Sequence, residues 1–487
     1  MSTRRGIEYK YIVAILAVFS IFMELLDSTV VNVAIPRLAQ EFKVSSATTV
    51  EWVITGYLLS LAVFIPVSGW AGDRFGTKRV FMFALAVFTA SSLACAFAWD
   101  IGSLVAFRVV QGVGGGMLSP VAFATLWRAF PPRERSKAAG IMVIPASVAP
   151  ASGPLVGGAL VEYASWEWIF LINVPIGLGA LLISARYLRE HKEPNPGRFD
   201  PAGFVLGAAG LASILYALAE AGSRGFEDGR VVLFGLGGLA ILSAFVAVEL
   251  RTPEPMLDVR IFNNRLFRAC NFAWLVTMVG FGSVIFLLTF ELQATRGLSA
   301  FESGLATFPM AIGVMFAAQP SSRFYPAIGP RRMILVGLAA SAATSLALTQ
   351  VGLDTDLWLI RGLMLLRGVA FGLVLVPLQA ATYANIPPAV TGRATALYNA
   401  TSQVATSLGV AIGATALTNR LSHHGAMLGN PATRDGAILA FQDAFVAIGV
   451  IAVIGVLVAF LIRDGDAAVT LKRGAVGEEL PERAAAH

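Results

Sequence analysis

The chain has 487 residues, of which 56% are hydrophobic and only 14% charged, with a net charge of +6 and a mean hydropathy of +0.72. A soluble domain carries about a quarter charged residues, and a globule this apolar would need nearly all of itself as core, which surface-to-volume scaling forbids. The basic residues are spread through connecting segments rather than gathered on one face, so the positive balance argues against a nucleic-acid footprint and for a polytopic membrane protein.

Apolar runs near twenty residues recur along the chain, each long enough to cross about 30 Å of hydrocarbon. They are continuous rather than alternating, which favours helices that satisfy their own backbone over a barrel. The expected fold is all-α with fourteen transmembrane helices, at 11–34, 50–71, 79–98, 101–126, 138–161, 167–187, 202–219, 231–250, 268–291, 302–323, 332–350, 357–383, 392–416 and 438–462. The apolar stretch after Lys10 is too long for a signal peptide, has no small-residue cleavage site, and reads as the first span.

That first span contains two carboxylates, Glu24 and Asp27, three residues apart and therefore on much the same face. Asn32 lies about a turn and a half further outward. A carboxyl is costly to bury in a bilayer, and the cost is what lets it exchange a proton as access alternates. Sodium coupling would call for a discontinuous helix with exposed carbonyls, and none is apparent, so protons are favoured. Trp52 and Tyr57 in the second span are candidate contacts for an apolar ligand. The loop "GWAGDRFGTKR" (69–79) follows, its glycines allowing a tight turn with Asp73 among Arg74, Lys78 and Arg79. Arg108 stands alone in the fourth span and must face protein or water, with Gln111 beside it as cavity lining. Gly112, Gly114, Gly115 and Gly116 lack the strand–loop–helix context and Walker lysine of an ATP site.

In the fifth span, Gly153 and Gly157 are four apart, with Pro154 and Gly158 between and beside them, a pattern that admits a close neighbour and kinks the helix. Asn173 in the sixth span is polar at membrane depth. The seventh and eighth spans are flanked by the charged, proline-containing segments "REHKEPNPGRFD" and "RTPEPMLDVRIFNNR", which read as linkers. Further along, Phe281, Glu291, Gln293, Gln379, Tyr383, Asn399 and Gln403 are candidate cavity residues, Asn399 and Gln403 sharing a face of the thirteenth span. Cys95 and Cys270 read as small hydrophobes. His423-His424 has no acidic or thiol neighbour in sequence, and no metal site or cofactor is expected.

Arg4, Arg5, Arg74, Lys78, Arg79, Arg128, Arg133, Arg135, Arg331, Arg332 and Arg463 fall in loops of one side, with few basic residues on the other, which places both termini in the cytoplasm. A weak repeat relates "PVSGWAGDRFGTKR" to "PSSRFYPAIGPRR" and "FRVVQGVGGGMLSP" to "LRGVAFGLVLVP", as in transporters built of two parallel halves. The division expected is an N-terminal six-helix bundle over 1–190, linkers and two inserted helices over 191–265, a C-terminal six-helix bundle over 266–465, and a cytoplasmic tail over 466–487 without fixed structure.

At these residues the chain resembles the major facilitator superfamily, in its fourteen-helix drug:proton antiporter branch. "LDSTVVNVAIP" (26–36) is similar to the first-helix signature, "GWAGDRFGTKR" to the loop between helices 2 and 3, and "FRVVQGVGGG" to the fourth-helix arginine motif. "SGPLVGGAL" (152–160), "WEWIFLINVPIG" (166–177) and "GRATALYNATSQVATSLGVAIG" (392–413) continue the series. The resemblance covers essentially the whole chain. It implies a non-enzymatic transporter of the inner membrane that exports hydrophobic or cationic compounds, antibiotics included, against protons. Asp27 would carry the proton, Arg108 would modulate it, and Glu24 would be a second proton site or a recogniser of positive charge. Gly69, Asp73, Arg74, Gly76, Arg79 and Arg393 would form a conformational latch, Asp73 capping the helix that begins near Thr391, and Gly153, Pro154, Gly157 and Gly158 would form the antiporter packing motif. The alternatives are an exporter of a lipid or endogenous metabolite, and a proton-coupled nutrient importer, against which the 152–158 motif argues. The expected partners are a small-molecule substrate, protons and the bilayer, with no nucleic acid. The chain has no large soluble domain to mark an accessory subunit and is expected to act as a monomer.

Overall fold

The computed structural model describes residues 8–43, 47–194, 196–428 and 431–471; the side chains of Asn32 and Pro154 lie outside what is described. The helices are α1 (Tyr9–Glu41), α2 (Ala47–Phe75), α3 (Thr77–Ala96), α4 (Ile101–Ala129), α5 (Arg135–Tyr163), α6 (Trp168–Leu171) and α7 (Asn173–Tyr187). They continue with α8 (Pro201–Arg224), α9 (Gly229–Arg251), α10 (Arg265–Ala294), α11 (Ala300–Thr307), α12 (Pro309–Ile328), α13 (Pro330–Leu348), α14 (Leu357–Thr382), α15 (Thr391–His423) and α16 (Arg434–Ala459). No strand occurs among the described residues.

Among the described residues, twelve helices are long and apolar enough to cross a membrane, with α6–α7 and α11–α12 each forming one such unit. The chain is a multi-pass membrane protein. Helices α5 and α15, of 29 and 33 residues, are not among the twelve. The run of Thr, Ser, Asn and Gln along α15 dilutes its apolar character, and it is enclosed by α2, α4, α8, α10 and α16. Helix starts are chemically marked: Asp100 and Ser103 form a capping box for α4, as Ser299 and Glu302 do for α11, while Asp200, Asp228, Asn264 and Asp356 each accept a backbone N–H of the helix they open.

Packing follows the repeat read in the sequence. Helix α2 packs on α4, α1 on α5 and α3 on α7; correspondingly α12 packs on α14, α10 on α15 and α13 on α16. The inserted pair α8–α9 lies against α2 and α15. At one end of the molecule, marked by Asp73, a single core contains residues from both sets of helices, including Phe81, Trp127, Phe267, Tyr383 and Tyr398. At the other end the cores are separate: Leu26, Val30, Leu38 and Phe170 in one, Val284, Leu288, Met364 and Phe441 in the other. The apolar core is therefore shared between the two sets of helices at the Asp73 end and split in two at the opposite one, where α5 still packs on α11.

Two expectations change. Helices α1 and α15 run to Glu41 and His423 rather than ending near 34 and 416, because their extra turns still find neighbours: Leu38 is fully buried, and so is Leu417 at 2% exposure. The tail placed at 466–487 does not begin unstructured. Asp464–Thr470 forms a 3-10 helix, tied down by Tyr325 to Thr470 at 2.7 Å and by Asn385, which donates to the Asp466 carbonyl at 2.6 Å.

Candidate functional site

Helix α1 brings Asp27 to 1% exposure and α4 brings Arg108 to 0%. Arg108 donates through one terminal nitrogen to Asp27 Oδ2 at 2.5 Å and to Gln111 Oε1 at 2.8 Å, and through Nε to the Val53 carbonyl at 3.2 Å. The other carboxylate oxygen of Asp27 accepts from Gln111 Nε2 and Asn173 Nδ2, both at 3.0 Å. Asn173 also donates to Ser92 Oγ at 3.2 Å, and Ser92 donates to the Phe170 carbonyl at 3.0 Å. The guanidinium lies 4.0 Å from the centre of the Tyr57 ring. Four helices thus converge on one ion pair, and the sequence-predicted residues Asp27, Tyr57, Arg108, Gln111 and Asn173 all meet there. Both carboxylate oxygens are satisfied and the pair is neutral overall, which is what makes it tolerable at this depth.

Glu24 sits beside this network in a different chemical setting. It is 9% exposed, and the Ser119 hydroxyl of α4 donates to its Oε2. No cation pairs with it among the described residues. The pairings 27–108 and 24–119 run in opposite chain directions, as antiparallel α1 and α4 require. Ser119 was not singled out from the sequence, although it lies three turns from Arg108 on the same face of α4, a spacing that could have pointed to it.

The other candidate cavity residues do not all join this site. Gln379 is 5% exposed with its Oε1 unpartnered. Asn399 is half-buried and donates back to the Thr395 carbonyl at 2.8 Å, and Gln403 is half-buried one turn further on. Phe281 rests on Phe371 with ring centres 4.9 Å apart. Glu291 is 1% exposed near the C-terminal end of α10, and neither carboxylate oxygen has a hydrogen-bond partner among the described residues; Gln293, near it in sequence, is exposed. Tyr383 is not cavity lining in this conformation. It stacks on Trp127 at 5.0 Å and its carbonyl accepts from Arg135, which closes the Asp73 end. Trp52 is 46% exposed. The Asn32 side chain lies outside the described residues.

Of the residues expected to form a latch, Gly69, Asp73 and Arg393 lie at the contact of α2 with α15, and Arg74 and Arg79 do not. A Cβ on Gly69 would stand 2.9 Å from the carbonyl carbon and oxygen of Gly392, so α2 and α15 touch through glycine backbone. Asp73 lies beside that contact but does not cap α15; no side-chain cap is made there. Its Oδ1 instead accepts from Arg128 at 2.9 Å, and both residues are nearly buried. Arg74 is exposed, and Arg79 is 80% exposed and only loosely paired with Glu190 at 3.7 Å. The basic residue that holds Asp73 therefore comes from the end of α4, which local sequence could not indicate. Gly76 has φ of 100°, a conformation that favours glycine. Arg393 donates to the Pro196 carbonyl at 3.3 Å and Trp70 to Gly197 at 3.4 Å, so the linker before α8 bridges α2 and α15. Thr395 to the Pro120 carbonyl at 3.1 Å and Arg128 to Pro388 at 3.2 Å complete the closed end.

In α5, Gly153 and Gly157 face α1. Added Cβ atoms would stand 2.3 Å from Thr29 Oγ1 and 3.0 Å from the Val30 carbonyl oxygen. Gly158 faces open space and takes no part in that contact, since it is turned away by the helical step from Gly157. The Pro154 side chain lies outside the described residues. Sequence reading also passed over Asp200 and Glu249, which are 8% and 0% exposed and crowd the same glycine, Gly203. Arg367, which stands in α14 as Arg108 does in α4, has no carboxylate partner among the described residues; it donates to Ser345 at 2.6 Å and to the Gly280 carbonyl at 3.1 Å. The two halves of the repeat thus differ at their buried arginines.

Comparison with known proteins agrees with this architecture. Residues 17–410 match the Major Facilitator Superfamily. The chain is 36% identical over 402 residues to a "Multidrug resistance protein B homolog" of Mycobacterium tuberculosis, covering 82% of this chain and 74% of that one. It is 33% identical over 426 residues to the "Uncharacterized MFS-type transporter YhcA" of Bacillus subtilis, covering 87% and 80%. It is 31% identical to a "Putative multidrug resistance protein MdtD" of Serratia proteamaculans, covering 87% and 88%. The crystal structure of the human organic anion transporter MFSD10 superposes with a TM-score of 0.63 at 14% identity, over 93% of this chain and 99% of that one, a likeness of fold. The chain belongs to the Major Facilitator Superfamily and is a membrane transporter rather than an enzyme.

Proposed function

We propose that the protein is a fourteen-span secondary exporter, with both termini in the cytoplasm, that moves hydrophobic or cationic compounds out across the cell membrane in exchange for protons. The observation that carries this reading is the sealed Asp27–Arg108 pair with Glu24 one turn away. The names of the relatives, two of them multidrug resistance proteins, support the direction and the substrate class.

In this reading the Asp73 end is cytoplasmic, and the conformation described is closed to the cytoplasm. Glu24, bound only by a hydroxyl, meets the incoming proton or the cationic substrate first. Protonation of Asp27 cancels its charge and releases Arg108, whose remaining acceptors are Gln111 and the Val53 carbonyl. Because Asp27, Arg108, Ser92 and Asn173 sit on four different helices, that release loosens α1 against α3, α4 and α7 together. The Gly69–Gly392 contact then opens, and the cavity turns to the cytoplasm.

A second reading, export of a long amphiphile, draws on the lengths of α1 and α15. At 33 residues each they span roughly 50 Å, well beyond the hydrocarbon core of about 30 Å.

The test is substrate-dependent proton movement in proteoliposomes across a panel of lipophilic cations, neutral apolar compounds and long-chain amphiphiles, for the parent, Asp27→Asn and Glu24→Gln. Loss of coupled transport in Asp27→Asn is expected, with a narrower loss, confined to cationic compounds, in Glu24→Gln. Intact coupling in Asp27→Asn removes the role given to that residue, and a requirement for ATP removes the whole reading.

A further inference from the structure

A cavity of about 430 Å³ shares no residue with the Asp27 network, and none of its residues has a part in the proposed transport cycle. Its walls are Phe262, Ala269, Phe272, Leu275 and Leu461, together with Thr401 of α15. Phe272 and Leu461 are 48% and 52% exposed, so the cavity is open sideways, toward where lipid lies. Arg265 and Arg268, in the first turn of α10, stand at one end. Their existing contacts are weak or partial: Arg265 is 3.9 Å from Asp466, and Arg268 spends one nitrogen on the Phe262 carbonyl at 3.0 Å.

Leu275 lies ten residues beyond Arg265, so along α10 the cavity passes from two guanidiniums to bare hydrocarbon in about 15 Å. Asn271 is 2% exposed and spends its nitrogen on the Phe267 carbonyl, which leaves Oδ1 without a partner. An occupant therefore needs a negative charge at the mouth, an apolar tail along the wall, and a hydroxyl to give.

We propose that this cavity is a binding site for one anionic glycerophospholipid, with its phosphate between Arg265 and Arg268 and an acyl chain on Phe272, Leu275 and Leu461. Paired cations at the end of a membrane span recruit anionic headgroups in this way. The site is independent of what the protein transports. It touches α15, the helix whose first turn meets Gly69, and so ties lipid occupancy to the helix at the closed end.

The experiment measures lipid binding to the purified full chain in detergent by native mass spectrometry, using phosphatidylglycerol, phosphatidylcholine of the same acyl chains, and soluble glycerol phosphate. The parent should retain phosphatidylglycerol at least tenfold better than phosphatidylcholine, with the preference shrinking as salt rises. The double variant Arg265→Gln/Arg268→Gln should bind phosphatidylglycerol roughly thirtyfold more weakly, at about 1 kcal/mol for each cation lost, and treat the two lipids alike. Ala269→Trp, which fills the wall and leaves both cations, should weaken both lipids; its monodispersity on gel filtration reports that it is folded. Equal retention of the two lipids by the parent overturns the proposal, as does a preference that survives the double variant. Full competition by glycerol phosphate also overturns it, because it would make the site an anion site without a lipid.

Discussion

Replacing Asp27 by Asn removes the anion that faces a fully buried guanidinium. Breaking a buried pair from one side costs about 3–5 kcal/mol, because the remaining charge stays desolvated. Arg108 keeps the Val53 carbonyl, Gln111 and the Tyr57 ring, and a desolvated cation–π contact contributes about 2 kcal/mol. The expected loss is therefore at the low end, about 3 kcal/mol. Arg108→Gln should cost a similar amount by stranding the carboxylate. The double variant Asp27→Asn/Arg108→Gln places two neutral amides among Gln111 and Asn173, where each can still find a partner. Its stability should recover to within about 1 kcal/mol of the parent, giving a coupling of about 5 kcal/mol between the two positions. Equilibrium unfolding in mixed detergent micelles at neutral pH measures all four corners of the cycle. Transport in proteoliposomes should stay absent in the double variant, since restored packing returns no titratable group. An Asp27→Asn variant as stable as the parent would refute the buried ionised pair, and proton-coupled transport by the double variant would refute its role.

Two further outcomes follow from the helix contacts. Gly69→Val places a branched side chain against the backbone of Gly392, already 2.9 Å from a bare Cβ, so α2 cannot close on α15; transport should fall at least tenfold and labelling of a cysteine near Asp73 should rise, and unchanged labelling would sink the account of the closed end. Gly153→Ala drives a methyl group into Thr29 at 2.3 Å and should cost about 1–3 kcal/mol by overpacking; adding Thr29→Ala should restore most of it, and a failure to do so would mean that the α1–α5 contact is not what Gly153 serves.

The Asp27 network was legible in part because a polar group inside a membrane span must be accounted for. Asp27, Arg108, Gln111 and Asn173 each stood out against hydrocarbon, and the structure joins all four. Tyr383 stood out for the same reason, yet it belongs to the closing contact rather than to a cavity. The cost of burying polarity marks a residue without saying which neighbour relieves it. Arg128 illustrates the converse: it looked like one more basic anchor at a helix end, while its nearly buried guanidinium is the partner of Asp73.

Sequence by itself determined the membrane class, the all-helical fold, the two-part repeat and the glycines that let α1, α2, α5 and α15 approach. These follow from hydropathy, helical period and side-chain size, which are local quantities. Only the tertiary structure decided that Asp27 meets Arg108 across 81 residues, that Gly158 faces nothing while Gly153 meets Thr29, and that Arg265 and Arg268 frame a cavity with Thr401. A helix's period tells which residues share a face. Which helix comes to lie against that face is decided by the packing of all the others.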